Sequence, residues 1–259
     1  MNVNSTANWF HEPADASGSV RLFCFPYAGG GVADYAEWQA ELGPDVEVCA
    51  LQLPGRGRRL FEEPFFEMEA LAESVAAVVA QRLDKPFVFF GHSMGALLAF
   101  EVARIMRRKR LPQPERLWVS GAEGPRTRAL KKRLHDLPDA ELIAALRDYN
   151  GTPAEVLDDP EMMELLLPGI RADFAVVERY RYRAEAPLSL PIHVVRGDAD
   201  PYVDAQRAAG WGLESTHSIR EHVFAGDHFF VHPHRTAITA LLSRWLDGAY
   251  VTSSKGSHS

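Results

Sequence analysis

The segment Gly91-His92-Ser93-Met94-Gly95 sets a serine between two glycines. The apolar run Phe87–Phe90 precedes it, and Leu97, Leu98, Val102, Ile105 and Met106 follow at helical spacing. Strand, G-x-S-x-G and helix in that order form a nucleophile elbow, a tight turn with the serine at its tip. Glycines two before and two after the serine let the chain turn where a Cβ would collide with neighbouring backbone. The free N–H groups and positive dipole end of the helix then face any oxyanion formed beside the serine. A serine hydroxyl is a weak nucleophile at neutral pH and needs a base to take its proton. The base in turn needs a carboxylate to fix its tautomer and steady the imidazolium. The competing reading of the five residues is a chance Gly/Ser loop, which the flanking strand and helix disfavour.

Ten histidines compete for the role of base. His92 is locked beside the serine on the elbow and cannot reach round to it. His193 and His222 fall inside strand-like runs, and His217 lies in a polar loop. His228 follows the apolar run His222–Ala225, in the loop Gly226-Asp227-His228-Phe229-Phe230. With His232 and His234 it makes H-x3-H-x-H, but a proline interrupts the group and no acidic or cysteine partner adjoins it, a weak metal pattern. For the acid, Asp198, Asp200 and Asp204 follow the strand-like Ile192–Gly197. Asp200 is preferred because it lies a few residues past the strand end, with Pro201 stiffening the loop. Asp227 adjoins His228 in sequence, which suits capping a turn better than orienting the ring. Ser93, Asp200 and His228 thus follow predicted strands in the order serine, acid, histidine of the α/β-hydrolase arrangement.

The elements that must position them alternate along the chain. Strands are expected at Val20–Phe25, Val46–Leu51, Phe87–Phe90, Leu117–Ser120, 191–197 and His222–Ala225. Helices are expected near 36–42, 67–83 and 235–246. That alternation implies a mostly parallel sheet covered on both faces. The glycine cluster Pro26-Tyr27-Ala28-Gly29-Gly30-Gly31 after the first strand is where a second oxyanion donor is drawn, and the N–H of Ala28 is the candidate. The loop 53–60, LPGRGRRL, is held open by Gly55 and Gly57, its arginines read as solvated. Between Gly124 and Pro187 strand signals stop. Helices are expected at 139–149, 153–157 and from Asp159, with Asp159 as cap and Pro160 at the first helical position. Pro168-Gly169 is expected to kink or break that last helix before 171–182. The chain therefore divides into a core, 1–124 and 186–250, a helical lid, 125–185, and a disordered tail, 251–259. Residues 1–19 read as a loose lead-in anchored by Trp9 and Phe10.

Composition is that of an ordinary globular protein, with 46% hydrophobic and 24% charged residues among 259. A net charge of −7 gives no general affinity for nucleic acid. Neither a signal pattern nor an apolar run of membrane-spanning length occurs. Two cysteines, Cys24 and Cys49, both in strand-like runs, fit a reducing compartment, and the chain reads as cytoplasmic.

FPYAGG, ALQLPGRGRR, FFGHSMGALLAFEVAR, LPGIRADFAVVERYRY, VVRGDADPYV and FAGDHFF extend from about Phe25 to Phe230. In these segments the chain resembles the type II thioesterases that accompany polyketide synthases and nonribosomal peptide synthetases. More distantly it is similar to the terminal thioesterase domains of such assembly lines and to the acyl-carrier hydrolases of fatty acid synthesis. Carried over by position, the resemblance implies Ser93 as nucleophile, Asp200 as acid, His228 as base, and the amides of Ala28 and Met94 as oxyanion donors. Tyr27 departs from the histidine that many relatives carry, next to a backbone donor it leaves unaffected. The resemblance further implies thioester hydrolysis on the phosphopantetheine arm of an acyl or peptidyl carrier protein, in trans, as editing of stalled or wrong acyl groups. It calls for no metal or redox cofactor. A general esterase or acyl-CoA thioesterase is an alternative, and a catalytically idle synthase-binding partner is another. A carboxylate nucleophile, as in epoxide hydrolases, is excluded by Ser93. Two basic runs, Arg104–Arg110 and Arg126–Arg133, are either a docking surface for an acidic carrier or a solvated helix end and loop.

Overall fold

The computed structural model describes residues 9–11, 17–128 and 133–253. Its strands are β1 (Phe10–His11), β2 (Val20–Phe25), β3 (Val46–Leu51), β4 (Phe87–His92), β5 (Leu117–Ser120), β6 (Ile192–Gly197) and β7 (Arg220–Phe224). Its helices are α1 (Trp38–Leu42), α2 (Met68–Val79), α3 (Met94–Arg108), α4 (Asp139–Tyr149), α5 (Ala154–Leu157), α6 (Pro160–Arg179), α7 (Ala205–Ala209) and α8 (Arg235–Ser253). The strands form one sheet in the order β1-β3-β2-β4-β5-β6-β7. Only the β1–β3 pairing is antiparallel.

Strands buried on both faces read as unbroken apolar runs, and β2 through β5 are buried at every residue. Alternate residues serve opposite faces. Phe23, Phe25, Phe87 and Phe89 pack with α2 and α3, whereas Leu22, Cys24, Val88 and Phe90 pack with α1 and α8. Each buried aromatic or aliphatic side chain contributes about 1.5–3 kcal/mol of apolar transfer, so these two layers carry most of the fold's cohesion. Cys24 and Cys49 are free and buried, and burial pushes both thiols up.

A third cluster belongs to α4, α5 and α6. Leu142 and Leu146 of α4 meet Leu157, Met163, Leu167, Ile170 and Phe174. Leu166 packs partly on this cluster and Val177 on the main core, while Met162 stays exposed. The Asp159 carboxylate caps α6, accepting from the Met162 N–H at 3.0 Å.

Several expectations need correction. α6 runs unbroken through Pro168 for 20 residues. Apolar contacts on both sides of the proline keep the helix from breaking there: Met163 and Leu167 before, Ile170 and Phe174 after. The lead-in forms an edge strand at Phe10–His11, fixed by the Gln52 N–H on the Trp9 carbonyl at 2.8 Å; its residues 1–8 and 12–16 lie outside the described region. α8 continues to Ser253, so the first residues of the expected tail are helical. Gly248 is the only breaker there, and one glycine costs only about 1 kcal/mol. Residues 254–259 lie outside the described region. Lastly, Arg56 and Arg59 are buried rather than solvated. Arg59 covers the Trp9 ring at 3.8 Å and donates to Glu62 and to the Gln52 carbonyl. Among the described residues no helix is long and apolar enough to cross a membrane.

Candidate active site

Ser93 stands between β4 and α3 with φ 54° and ψ −113°, a conformation few non-glycine residues adopt. Its surroundings impose that turn. A Cβ on Gly91 would lie 2.2 Å from the Gly95 carbonyl oxygen, and one on Gly95 2.0 Å from that of Phe25. The Ser93 N–H is tied to the Ser120 carbonyl at 2.7 Å, which anchors the elbow to β5.

The loops after β6 and β7 are zipped together. The Asp198 N–H donates to the Phe224 carbonyl at 2.8 Å, the Ala199 N–H to that of Gly226 at 3.0 Å, and the Gly226 N–H to the Asp198 carboxylate at 2.9 Å. This brings acid and base to one rim of the sheet. His228 Nδ1 lies 2.8 Å from Asp200 Oδ2, and His228 Nε2 lies 3.0 Å from Ser93 Oγ. A carboxylate only accepts, so Nδ1 carries the proton and Nε2 is left to accept from the serine hydroxyl. Asp200 is fixed in turn by the Tyr202 and Val203 N–H groups on Oδ1, at 2.8 and 3.2 Å. Imidazole and carboxylate are buried.

The competing side chains have other tasks. Asp204 caps α7, and Asp227 accepts from the Phe229 N–H at 2.9 Å, the turn-capping expected of it. His92 Nδ1 meets Ser120 Oγ at 2.9 Å. His193 and His222 contact each other at 3.1 Å and stack beneath Trp118. His232 faces the Tyr27 hydroxyl at 3.3 Å and His234 the Ala225 carbonyl at 2.8 Å, so the three histidines from 228 to 234 point to separate partners.

On the oxyanion side, the turn at Gly29 (φ 80°) is closed by the Gly30 N–H on the Tyr27 carbonyl at 2.9 Å. Among the described residues neither the Ala28 nor the Met94 N–H donates to another protein group. Tyr27 donates to Asp34 at 2.8 Å, which braces this loop from below.

Two features escaped the sequence. Tyr149, at the end of α4, stacks on Tyr202 with centroids 4.7 Å apart and sets its edge to His228 at 5.4 Å. Its hydroxyl comes within reach of Ser93, and burial raises the phenol above its ordinary range. Tyr149 and Tyr202 thus set an aromatic pair against the His228 ring. The second feature is a buried ion pair, Arg56 Nη2 to Asp173 Oδ1 at 2.6 Å, that joins the loop 53–60 to α6. The basic runs are mostly engaged internally. Arg104 is buried against Glu101 and Glu185, Arg107 and Arg108 pair with Glu185, and Lys109 pairs with Glu73. Arg126 binds Glu214 and Tyr182, and residues 129–132 lie outside the described region.

Burial depresses the pKa of three histidines: His92 well below its usual value, His193 to about 3, and His222 less far. The folded protein holds His92 and His193 neutral, whereas the unfolded chain takes up protons below about pH 6.5. The unfolded state then binds more protons, so stability is complete above that pH and falls as pH drops through it. Denaturant midpoints are expected to fall between pH 7.5 and 5.5 as the unfolding free energy drops by about 1.4 kcal/mol for each ring that stays neutral. A midpoint that holds or rises would contradict this assignment.

A family model for the thioesterase domain matches residues 20–246. The gramicidin S biosynthesis protein GrsT of Aneurinibacillus migulanus is 39% identical over 231 residues, 89% of this chain and 90% of its own. The solved structure of the type II thioesterase BorB from the borrelidin biosynthetic cluster is 34% identical with a TM-score of 0.83, covering 94% of this chain and 97% of its own. RedJ, the thioesterase of the prodiginine pathway in Streptomyces coelicolor, is 38% identical at the same TM-score of 0.83, over 94% and 96%. The chain belongs to the thioesterase family, carries its α/β-hydrolase fold, and stands beside the type II thioesterases of polyketide and nonribosomal peptide assembly lines.

Proposed function

We propose that the protein hydrolyses acyl groups from the phosphopantetheine arm of acyl or peptidyl carrier proteins, in trans, clearing stalled or wrong intermediates from an assembly line. The observation that carries the mechanism is the His228 ring held between Ser93 Oγ at 3.0 Å and Asp200 Oδ2 at 2.8 Å. Ser93 attacks the thioester carbonyl as His228 takes its proton, and the N–H groups of Ala28 and Met94 hold the oxyanion. Loss of one such donor typically costs about 10²–10³ in turnover. The C–S bond breaks, His228 passes the serine proton to the departing sulfur, the thiol leaves with the carrier, and the acyl group stays on Ser93. Water then attacks the acyl-enzyme, giving its proton to His228, and the free acid departs as Ser93 regains its hydroxyl.

Residues 125–185 act as the lid that grips the acyl chain, and 1–124 with 186–250 as the core. The free, buried cysteines support a reducing, cytoplasmic setting. The test is a panel of one acyl group presented on a carrier protein, on coenzyme A and as a simple ester. Carrier-bound substrate is expected to show a kcat/KM about tenfold or more above the others, worth about 1.4 kcal/mol of added transition-state binding. Equal values, or a preference for coenzyme A, would instead favour a general acyl thioesterase.

A further inference from the structure

We infer that Arg56 and Asp173 are positioning residues that set the oxyanion loop from the lid helix, making lid seating and oxyanion binding one device. The inference rests on the reading that the Ala28 N–H holds the oxyanion. Asp173 lies within α6, on the lid, yet both its carboxylate oxygens are spent on the core. Oδ2 accepts from the Gly29 N–H at 2.8 Å, and Oδ1 accepts from Arg56 Nη2 at 2.6 Å. The other arm of that guanidinium, Nη1, donates to the Gly30 carbonyl at 2.7 Å. The ring closes on the two residues that follow Ala28, holding one by its N–H and the other by its C=O. Those contacts fix the Ala28–Gly29 and Gly30–Gly31 peptides, and the Gly30 N–H on the Tyr27 carbonyl at 2.9 Å passes that hold to the Tyr27–Ala28 peptide, which bears the Ala28 N–H.

Helix and loops meet with no slack. A Cβ on Gly169 of α6 would lie 2.6 Å from the Gly55 carbonyl oxygen, and one on Gly29 3.4 Å from the Ile170 side chain. A small shift of α6 therefore moves Asp173 relative to the loop. The Arg56 side chain is 10% exposed and that of Asp173 5%. Taking such a pair out of water is costly, and apolar replacements of similar size often leave stability equal or higher. Cohesion alone does not explain the pair; orientation of the loop does.

The deciding variant is Arg56→Met/Asp173→Leu, which removes both charges together and leaves neither buried alone. It is expected to melt at or above the wild-type temperature while kcat falls about 10- to 100-fold, with KM within about threefold. Affinity for an acyl trifluoromethyl ketone, which forms an oxyanion on Ser93, is expected to fall in step with kcat. Affinity for the matching unreactive thioether should not. Asp173→Asn, nearly isosteric, serves as the second variant and is expected to lose kcat with the same split. If both variants keep wild-type kcat, or if ketone and thioether weaken alike, the pair is structural and the inference is wrong. Wild type and Ser93→Ala are run alongside. A wild type no faster than Ser93→Ala would overturn the parent mechanism, whereas a Ser93-dependent wild type with unaffected variants overturns this inference alone.

Discussion

Replacing Ser93 with alanine is expected to lower thioester turnover by about 10⁴-fold or more while leaving the protein folded. The hydroxyl meets the His228 ring at 3.0 Å and has the Tyr149 hydroxyl within reach, whereas the elbow is held by backbone and glycines. The fold therefore loses little, and the melting temperature is expected to move by no more than a few degrees. Residual activity survives because the Ala28 and Met94 amides still stabilise a tetrahedral intermediate formed by water. Adding His228→Ala to Ser93→Ala is expected to cost almost nothing further, since members of one proton-transfer chain fail together. Steady-state hydrolysis of a carrier-bound acyl group measures both, and additive losses would break the shared role.

The largest structural effect is expected from Gly95→Ala. The new methyl carbon would sit 2.0 Å from the Phe25 carbonyl oxygen, 2.5 Å from its carbon and 2.8 Å from the Pro26 oxygen. All three are backbone atoms at the end of β2, so no side chain can swing aside. The β2 end and the start of α3 must move apart by about 1 Å. Overpacking of this kind typically costs about 1–3 kcal/mol, and a clash with backbone on two packed elements belongs at or above the top of that range. For a chain of this size about 3 kcal/mol lowers the melting temperature by about 6–12 °C. Turnover falls as well, because the displaced strand end carries Pro26–Gly30 and with it the Ala28 N–H. Calorimetry and hydrolysis assays on the same preparation check both halves. A variant with wild-type stability would show that the two backbones can separate freely.

The three catalytic candidates were legible because each lies just past the carboxyl end of a strand in one parallel sheet. Parallel strands put those ends on one rim, so sequence order alone brings distant residues together. The helices between 139 and 179 were legible from their ends, Gly151 after α4 and Asp159-Pro160 at the start of α6. What stayed hidden depends on contacts between distant segments. Arg56 sits in a polar loop 117 residues before Asp173, and neither shows its partner locally. One clue existed: Asp173 interrupts the apolar face made by Ile170, Phe174, Val176 and Val177. A carboxylate buried there requires a cation from elsewhere. Tyr149 was hidden because only the seating of the lid brings α4 over His228. The edge strand Phe10–His11 is too short to show alternation, and the persistence of α6 past Pro168 is decided by its packing rather than its propensity.

The central claim is that Ser93 becomes acylated. Rapid quench of the enzyme with a slowly hydrolysed acyl-carrier substrate, followed by peptide mapping by mass spectrometry, tests it most directly. The acyl mass is expected on the peptide bearing Ser93 and is expected to be missing in Ser93→Ala. An acyl group on another residue, or turnover with no acyl-enzyme and full activity in Ser93→Ala, would contradict it.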